Sequence, residues 1–181
     1  MNIKSINEMR CKVLSEIEKE FVEELVPAKF SDSDESVVPV LTVMLGGQDA
    51  DLGNAMGEFF FMESLPRDEI QYFISLITLY ENIPEENLDE LTTAISMINT
   101  YVPVGGFCLD PGTGSLVYKY SYPMVTIAPY ETVRDGVDMA MGCALTTVSE
   151  MGYLLAEVCD GERSAESVID ILNGEEDTGE E

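Results

Sequence analysis

No histidine occurs anywhere in the 181 residues, and that absence removes more chemistry than any other feature. Ser-His-Asp and Cys-His catalysis, as usually built, need an imidazole to move the proton. Most zinc and non-haem iron sites need one as a ligand. Basic residues are the next scarcity. Nine Lys and Arg stand against thirty-five Asp and Glu, a formal net charge of −26. No stretch gathers Lys or Arg for phosphate contact, so nucleic acid and anionic membrane surfaces are repelled. A basic partner is the electrostatically favoured kind, although the same acidity also serves solubility.

The four cysteines, Cys11, Cys108, Cys143 and Cys159, form no C-x-x-C pair, so neither a dithiol redox motif nor a zinc knuckle is present. Cys143 and Cys159 read as members of one helix, about 24 Å apart and too far to bridge. Buried free thiols in a reducing cytosol are the expectation. Residues 1–12 contain no apolar signal core. The longest uncharged run, Leu91 to Leu109, is broken by Thr, Ser, Asn, Pro and Gly-Gly. No membrane span is expected, and a cytoplasmic location follows.

Phosphate loops are missing too: Gly46-Gly47 and Gly105-Gly106 fit neither G-x-x-x-x-G-K-[ST] nor G-x-G-x-x-G. Asp49 to Asn54 superficially suggests a calcium loop, but Gly53, Asn54 and Phe60 occupy the positions where an acid or amide, a glycine and a glutamate are required. Acidic pairs such as Asp32/Asp34 and Glu85/Glu86 show no sign of converging across a cleft. The sequence therefore nominates no catalytic residue, no cofactor and no metal ligand.

What is present suits one folded domain. Hydrophobic residues make up 45% and charged residues 24%, and a chain of this length buries roughly 70% of its unfolded surface without needing disulfides or metal. Ile6, Met9, Val13, Ile17, Phe21 and Leu25 recur at helical spacing over residues 5–26, with Pro27 as the stop. An acidic loop at 31–36 precedes a Val- and Leu-rich strand, Val37 to Leu45, in which Pro39 marks an edge or a strand start. GGQDADLGN connects it to a returning strand, Glu58 to Glu63. In Ile70 to Tyr80 the positions Ile70, Phe73, Ile74 and Ile77 suit a helix, but the density of β-branched and aromatic residues favours a strand. Strand is the reading taken.

Pro84, Glu85 and Glu86 suit a helix start. Leu88, Leu91, Ile95, Ile98 and Val102 then extend a helix to Pro103. Val104–Leu109 and Leu116–Tyr122 form a hairpin around Asp110-Pro111-Gly112-Thr113-Gly114. Apolar residues from Val133 to Val158 recur every three or four positions across a long helix over 130–159. Ser164 caps a last short helix through Leu172.

Alternation places Tyr118, Tyr120 and Tyr122 on one strand face. Such a face packs on a helix, forms a dimer interface or stays open as an aromatic binding surface. Met141 and Met151 lie on the long helix, where methionines fill a core or adapt to varied partners. These five residues are the candidate partner or dimer surface.

From about Leu88 to Leu172 the chain resembles the YbjN-like family of small bacterial proteins, which share the fold of type III secretion chaperones. The residues that carry the resemblance are Leu91 to Asn99, Pro103-Val104-Gly105-Gly106-Phe107, the strand Leu116 to Tyr122 with Pro123, and the long helix ending in Asp160-Gly161. The N-terminal half matches by element order only. The resemblance implies a homodimeric, acidic cytosolic protein that binds extended segments of other proteins, with no reaction attached. The chain departs from a minimal chaperone in its extra C-terminal helix and tail, and no client contact can be carried across.

The resulting expectation is an α+β domain over residues 1–172 with a mobile acidic tail at 173–181. Its antiparallel sheet has about five strands packed by helices, in the order α-β-β-β-α-β-β-α plus a short helix. The expected function is a non-catalytic, protein-binding adaptor or chaperone-like dimer in the bacterial cytosol, its partner another protein, basic or an extended segment. The alternative, prompted only by carboxylate density, is a regulatory domain responding to a small molecule or ion.

Overall fold

The helical spacing at the N-terminus becomes α1 (Ile3–Glu23), which ends before Pro27, where a helix cannot continue. The computed structural model describes residues 3–32, 38–46, 55–63, 69–110 and 112–174. Within these follow β1 (Ala28–Ser31), β2 (Val40–Met44), β3 (Met56–Glu63) and β4 (Ile70–Tyr80). A single 3-10 turn, Glu85–Asn87, leads into α2 (Leu88–Ile98). Then come β5 (Gly106–Asp110), β6 (Ser115–Val125), α3 (Tyr130–Cys159) and α4 (Ala165–Leu172). The fold is α+β, as expected. The 70–80 segment is a strand, and Pro39 lies directly before β2, consistent with its missing N–H.

The expected strand count needs correction. The sheet has six antiparallel strands in the order β1-β2-β3-β4-β6-β5, so the element order is α-β-β-β-β-α-β-β-α-α. The added strand is Ala28–Ser31, four residues between Pro27 and the acidic stretch, too short to show an alternation. It pairs with β2 from Ala28↔Val43 to Ser31↔Val40. Asp49 to Asn54, residues 33–36 of the acidic loop and 175–181 of the tail lie outside the described residues.

Strand alternation divides the sheet into two unlike faces. Phe59, Phe61, Phe73, Ile77, Leu116, Tyr118 and Phe107 point to one side and are all buried. The helices lie on that side. Met9, Val13, Leu14 and Ile17 of α1 share the same core as Leu91, Ala94, Ile95 and Ile98 of α2 and Val133 to Val158 of α3. At roughly 1.5–3 kcal/mol for each fully buried large side chain, this layer supplies most of the favourable free energy of folding. Phe61 and Phe107 meet Phe73 and Tyr118 edge-on, with ring centroids 5.3 and 5.2 Å apart, a geometry that suits the ring quadrupoles.

Close approach of α3 to the sheet requires Gly136, where a Cβ would stand 3.0 Å from Met124 and 3.2 Å from Tyr122. The ends of the layer are tied by polar contacts. A register shift between Thr78 and Tyr80 turns Tyr80 toward the helices, where its hydroxyl donates to Asp160 at the end of α3. Tyr130 at the start of α3 donates to Glu16 of α1. Arg134 binds Glu20 at 2.5 Å and Asp138 at 2.9 Å. Ser164 caps α4 as expected, accepting from the Ser167 N–H at 3.2 Å, and the Ala165 N–H donates to Glu90 of α2 at 2.6 Å.

The cysteines correct a second expectation. Only Cys159 is buried, whereas Cys108 and Cys143 are exposed and Cys11 is intermediate. Burial pushes the Cys159 thiol up to about 12, so it is a core atom rather than a nucleophile. Cys143 and Cys159 do share α3.

Two predictions follow from these contacts. Gly105 has φ +69°, and a Cβ there would lie 2.5 Å from the Tyr118 hydroxyl and 2.7 Å from the Lys119 carbonyl. Gly114 has a similar φ of +66° but open space around it. Gly105→Ala should therefore destabilise by more than about 3 kcal/mol and Gly114→Ala by only about 1 kcal/mol in urea melts. Alkaline titration should also expose the tyrosine ties. The bond to Asp160, with burial, raises Tyr80 to about 12, and burial with the bond to Glu16 raises Tyr130 to about 12. A proton held more tightly in the folded state contributes stability that is complete below the unfolded value near 10 and is lost between about 10 and 12. Tyr80→Phe and Tyr130→Phe should each remove a late-ionising tyrosine from an ultraviolet titration and flatten the fall in stability over that window.

Candidate interaction surface

The two edges of the sheet are closed by helix side chains. At β5 the Asn99 amide, just past the end of α2, reads the strand as a neighbouring strand would. Its Oδ1 accepts from the Phe107 N–H at 2.8 Å and its Nδ2 donates to the Phe107 carbonyl at 2.9 Å. At β1 the Phe30 N–H donates to the Glu18 carboxylate of α1 at 2.8 Å. Each edge thereby loses a backbone group that an added strand would need. The groups protecting the edges are one amide and one carboxylate, both placed by helices whose opposite faces are in the core.

The broad outer face is different. Among the described residues no helix lies on it, and its apolar side chains come from alternate positions of four strands. Met44 and Val40 on β2, Met56, Phe60 and Met62 on β3, Tyr72, Ile74 and Leu76 on β4, and Val117, Pro123 and Val125 on β6 point outward by the strand register. Ile74 and Val117 are 2% and 5% exposed, and neither belongs to the main core. Around them, Met62 is 47% and Val125 55% exposed.

Charge on this face is sparse and balanced. Within the six strands the outward-pointing charges are Lys29 and Lys119 against Glu58 and Asp110, two of each sign. The surplus acidity of the chain therefore lies elsewhere, on helices and connections. Cys108 points outward on β5, and burial raises its thiol above the ordinary value.

The residues nominated from sequence sit on the opposite side. Tyr118 is fully buried against Phe107 and donates to the Val104 carbonyl at 2.7 Å. Met141 is 4% exposed. Tyr120, Tyr122 and Met151 are half-buried and pack on the same core, with the Tyr120 and Tyr122 rings 6.2 Å apart. The tyrosine face thus meets α3, and Tyr118 and Met141 offer no free surface; as a partner surface these two are corrected to core. Met141 does floor a groove of about 200 Å³ between α1 and α3, beside Phe21 and Leu145 and rimmed by Glu20, Glu24 and Asp138.

EFFFME and YFISLITLY read as strands from sequence, with nothing drawn from their two apolar faces. Both are apolar at successive positions, not at alternate ones, which is the pattern of strands apolar on both faces. Nothing in the sequence says that only one of those faces is covered.

Among the described residues no three His, Cys, Asp or Glu side chains are grouped to hold a metal ion. No helix among them is long and apolar enough to cross a membrane. No protein-family model matches the chain, and comparison with curated proteins finds no match either.

The closed β5 edge carries a test. Asn99→Ala strands the Phe107 N–H and carbonyl at the rim, and should cost about 1–3 kcal/mol. Urea melts give the loss, and amide exchange at Phe107 should accelerate while that of Ile77, in the centre of the sheet, follows global stability alone.

Proposed function

We propose that this chain is a non-catalytic protein-binding module, an adaptor or chaperone-like domain that works in the cytosol as a dimer, with the outer face of its sheet, on which no helix lies among the described residues, as the binding surface. The observation that carries this reading is the contrast between the closed edges and the open face. Asn99 and Glu18 occupy the edge groups that strand addition would use, while Met44, Met62 and Val125 stand 39%, 47% and 55% exposed on the outer face, which no helix covers among the described residues. A chain with −26 formal charge gains nothing in solubility from such a face; a partner surface is what makes sense of it.

The resemblance to YbjN-like proteins points the same way, since its implied mode of action is holding another polypeptide. A hydrophobic sheet face suits apolar side chains of a partner, and acidic surroundings favour a partner with basic residues flanking them. The groove rimmed by Glu20, Glu24 and Asp138 has the same acidic and apolar combination on a smaller scale.

A photocrosslinking residue placed at Leu76 in the middle of the face, compared with one at Met139, which is 52% exposed on α3, tests this reading in cells. Protein adducts should form at position 76 and be at least several-fold weaker at position 139. Equal labelling at both positions, or none at 76, sinks the assignment of this face.

A further inference from the structure

We propose that the occupant of the outer sheet face is a second copy of this chain, docked about a two-fold axis that runs along β4 above Leu76; this rests on the outer face being the binding surface.

The inference comes from the row of residues that crosses the centre of the face. The register aligns Glu58 on β3, Leu76 on β4 and Lys119 on β6. Glu58 and Lys119 therefore flank Leu76 by one strand spacing each, about 4.8 Å on either side. Neither forms an ion pair with another described side chain. A two-fold axis lying along β4 exchanges the two flanks, so that each Glu58 faces the partner's Lys119. An axis lying across the strands would instead place Glu58 on Glu58 and Lys119 on Lys119. Only the first arrangement turns the two central charges into two reciprocal pairs, and an isologous interface must satisfy every contact twice.

The same operation suits the neighbouring rows. It sets Tyr72 on Tyr72 along the axis, Met62 over Pro123 and Phe60 over Ser121, while Ile74 and Val117, already buried within the face, add little. The exposed rows thus bring mostly apolar groups together, as in aligned sheet-on-sheet packing. Further out, Met44 on β2 comes over Cys108 on β5.

Charge also selects this face from the rest of the surface. Two molecules of −26 repel each other, and association is feasible only where the local charge is close to zero. The strand residues facing outward sum to that value, with Lys29 and Lys119 offsetting Glu58 and Asp110. With the axis along β4 the strands β2, β3, β4, β6 and β5 overlap and β1 does not; four strand spacings of about 4.8 Å and six residue steps of about 3.4 Å give a shared face of roughly 19 by 20 Å, or ~400 Å² per copy. Roughly 800 Å² in total is below the standard size of a stable interface, which predicts a weak dimer in exchange with monomer, not a permanent one. Salt screens the overall repulsion more than the desolvated pairs, so the dimer should tighten as ionic strength rises.

Sedimentation velocity on the purified full-length chain tests the proposal, with Glu58→Lys, Lys119→Glu and the double exchange as variants. Thermal melts confirm that each variant folds, since both positions lie on the surface. The wild type should be dimeric at tens of micromolar, each single change should weaken the dimer by about tenfold or more, and the double exchange should restore most of it. Thiol labelling supplies a second reading. Cys108 should react several-fold more slowly in the dimer than in a Leu76→Asp variant, while Cys143 on α3 reacts equally in both. A strict monomer, a dimer indifferent to both single changes, or a double variant no better than the singles overturns the proposal. If the chain is monomeric yet position 76 still crosslinks a different protein in cells, self-association fails while the protein-binding reading stands.

Discussion

β4 and β6 are each eleven residues long and pair from Ile70↔Val125 to Tyr80↔Leu116. On one side of this ladder, Phe73, Ile77 and Tyr118 meet Val137, Ala140 and Ala144 of α3 in a single buried layer. Every other element is placed with respect to that contact. The small residues Gly136, Ala140 and Ala144 let α3 lie close to the strands, and α2 then fills the space between α3 and β5. α1 covers the far strands β1 to β3, held to α3 by Arg134 and Tyr130. A helix layer can cover only one side of a sheet unless the chain supplies a second. Among the described residues it does not, and the outer face is the consequence.

That one-sidedness organises the functional reading. A sheet can bind another protein along an edge through its backbone, or over a face through its side chains. Here the edges carry Asn99 and Glu18, whose polar groups replace a missing strand, and the face carries Phe60, Met62, Ile74, Leu76 and Val125. The charge distribution follows the same division. The surplus of acid lies off the face, while the outward strand positions balance Lys119 against Glu58. Acidity therefore concentrates on helices and connections, and the outward strand positions stay close to neutral.

Much of the architecture was legible in the sequence. The period of α1, α2 and α3, the hairpin around Asp110 to Gly114, and the Ser164 cap all express local chemistry: helical spacing of apolar residues, turn residues, and a hydroxyl positioned to accept a backbone N–H. The 70–80 segment was legible through its density of β-branched and aromatic residues, although Ile70, Phe73, Ile74 and Ile77 also suited a helix. β1 was not, because four residues such as Ala28 to Ser31 have no period of their own and become a strand only by pairing with Val40 to Val43. The exposure of Cys108 and Cys143 was equally hidden, since a thiol's burial depends on which neighbours the fold brings, not on its own hydrophobicity.

The candidate surface shows where local reading stops. Tyr118, Tyr120 and Tyr122 were correctly placed on one face of one strand, because alternation is a property of the chain. Whether that face meets a helix or solvent is decided by α3, thirty residues that return across the sheet after β6. Once α3 takes the tyrosine side, the aliphatic and methionine residues of β2, β3 and β4 are left outside. By itself the sequence determined the elements other than β1, the charge and the absence of imidazole chemistry, since each is a property of residue type and spacing. Only the tertiary structure decided which of two apolar strand faces became the core and which became a surface, because that choice depends on the side of the sheet to which the long helix returns.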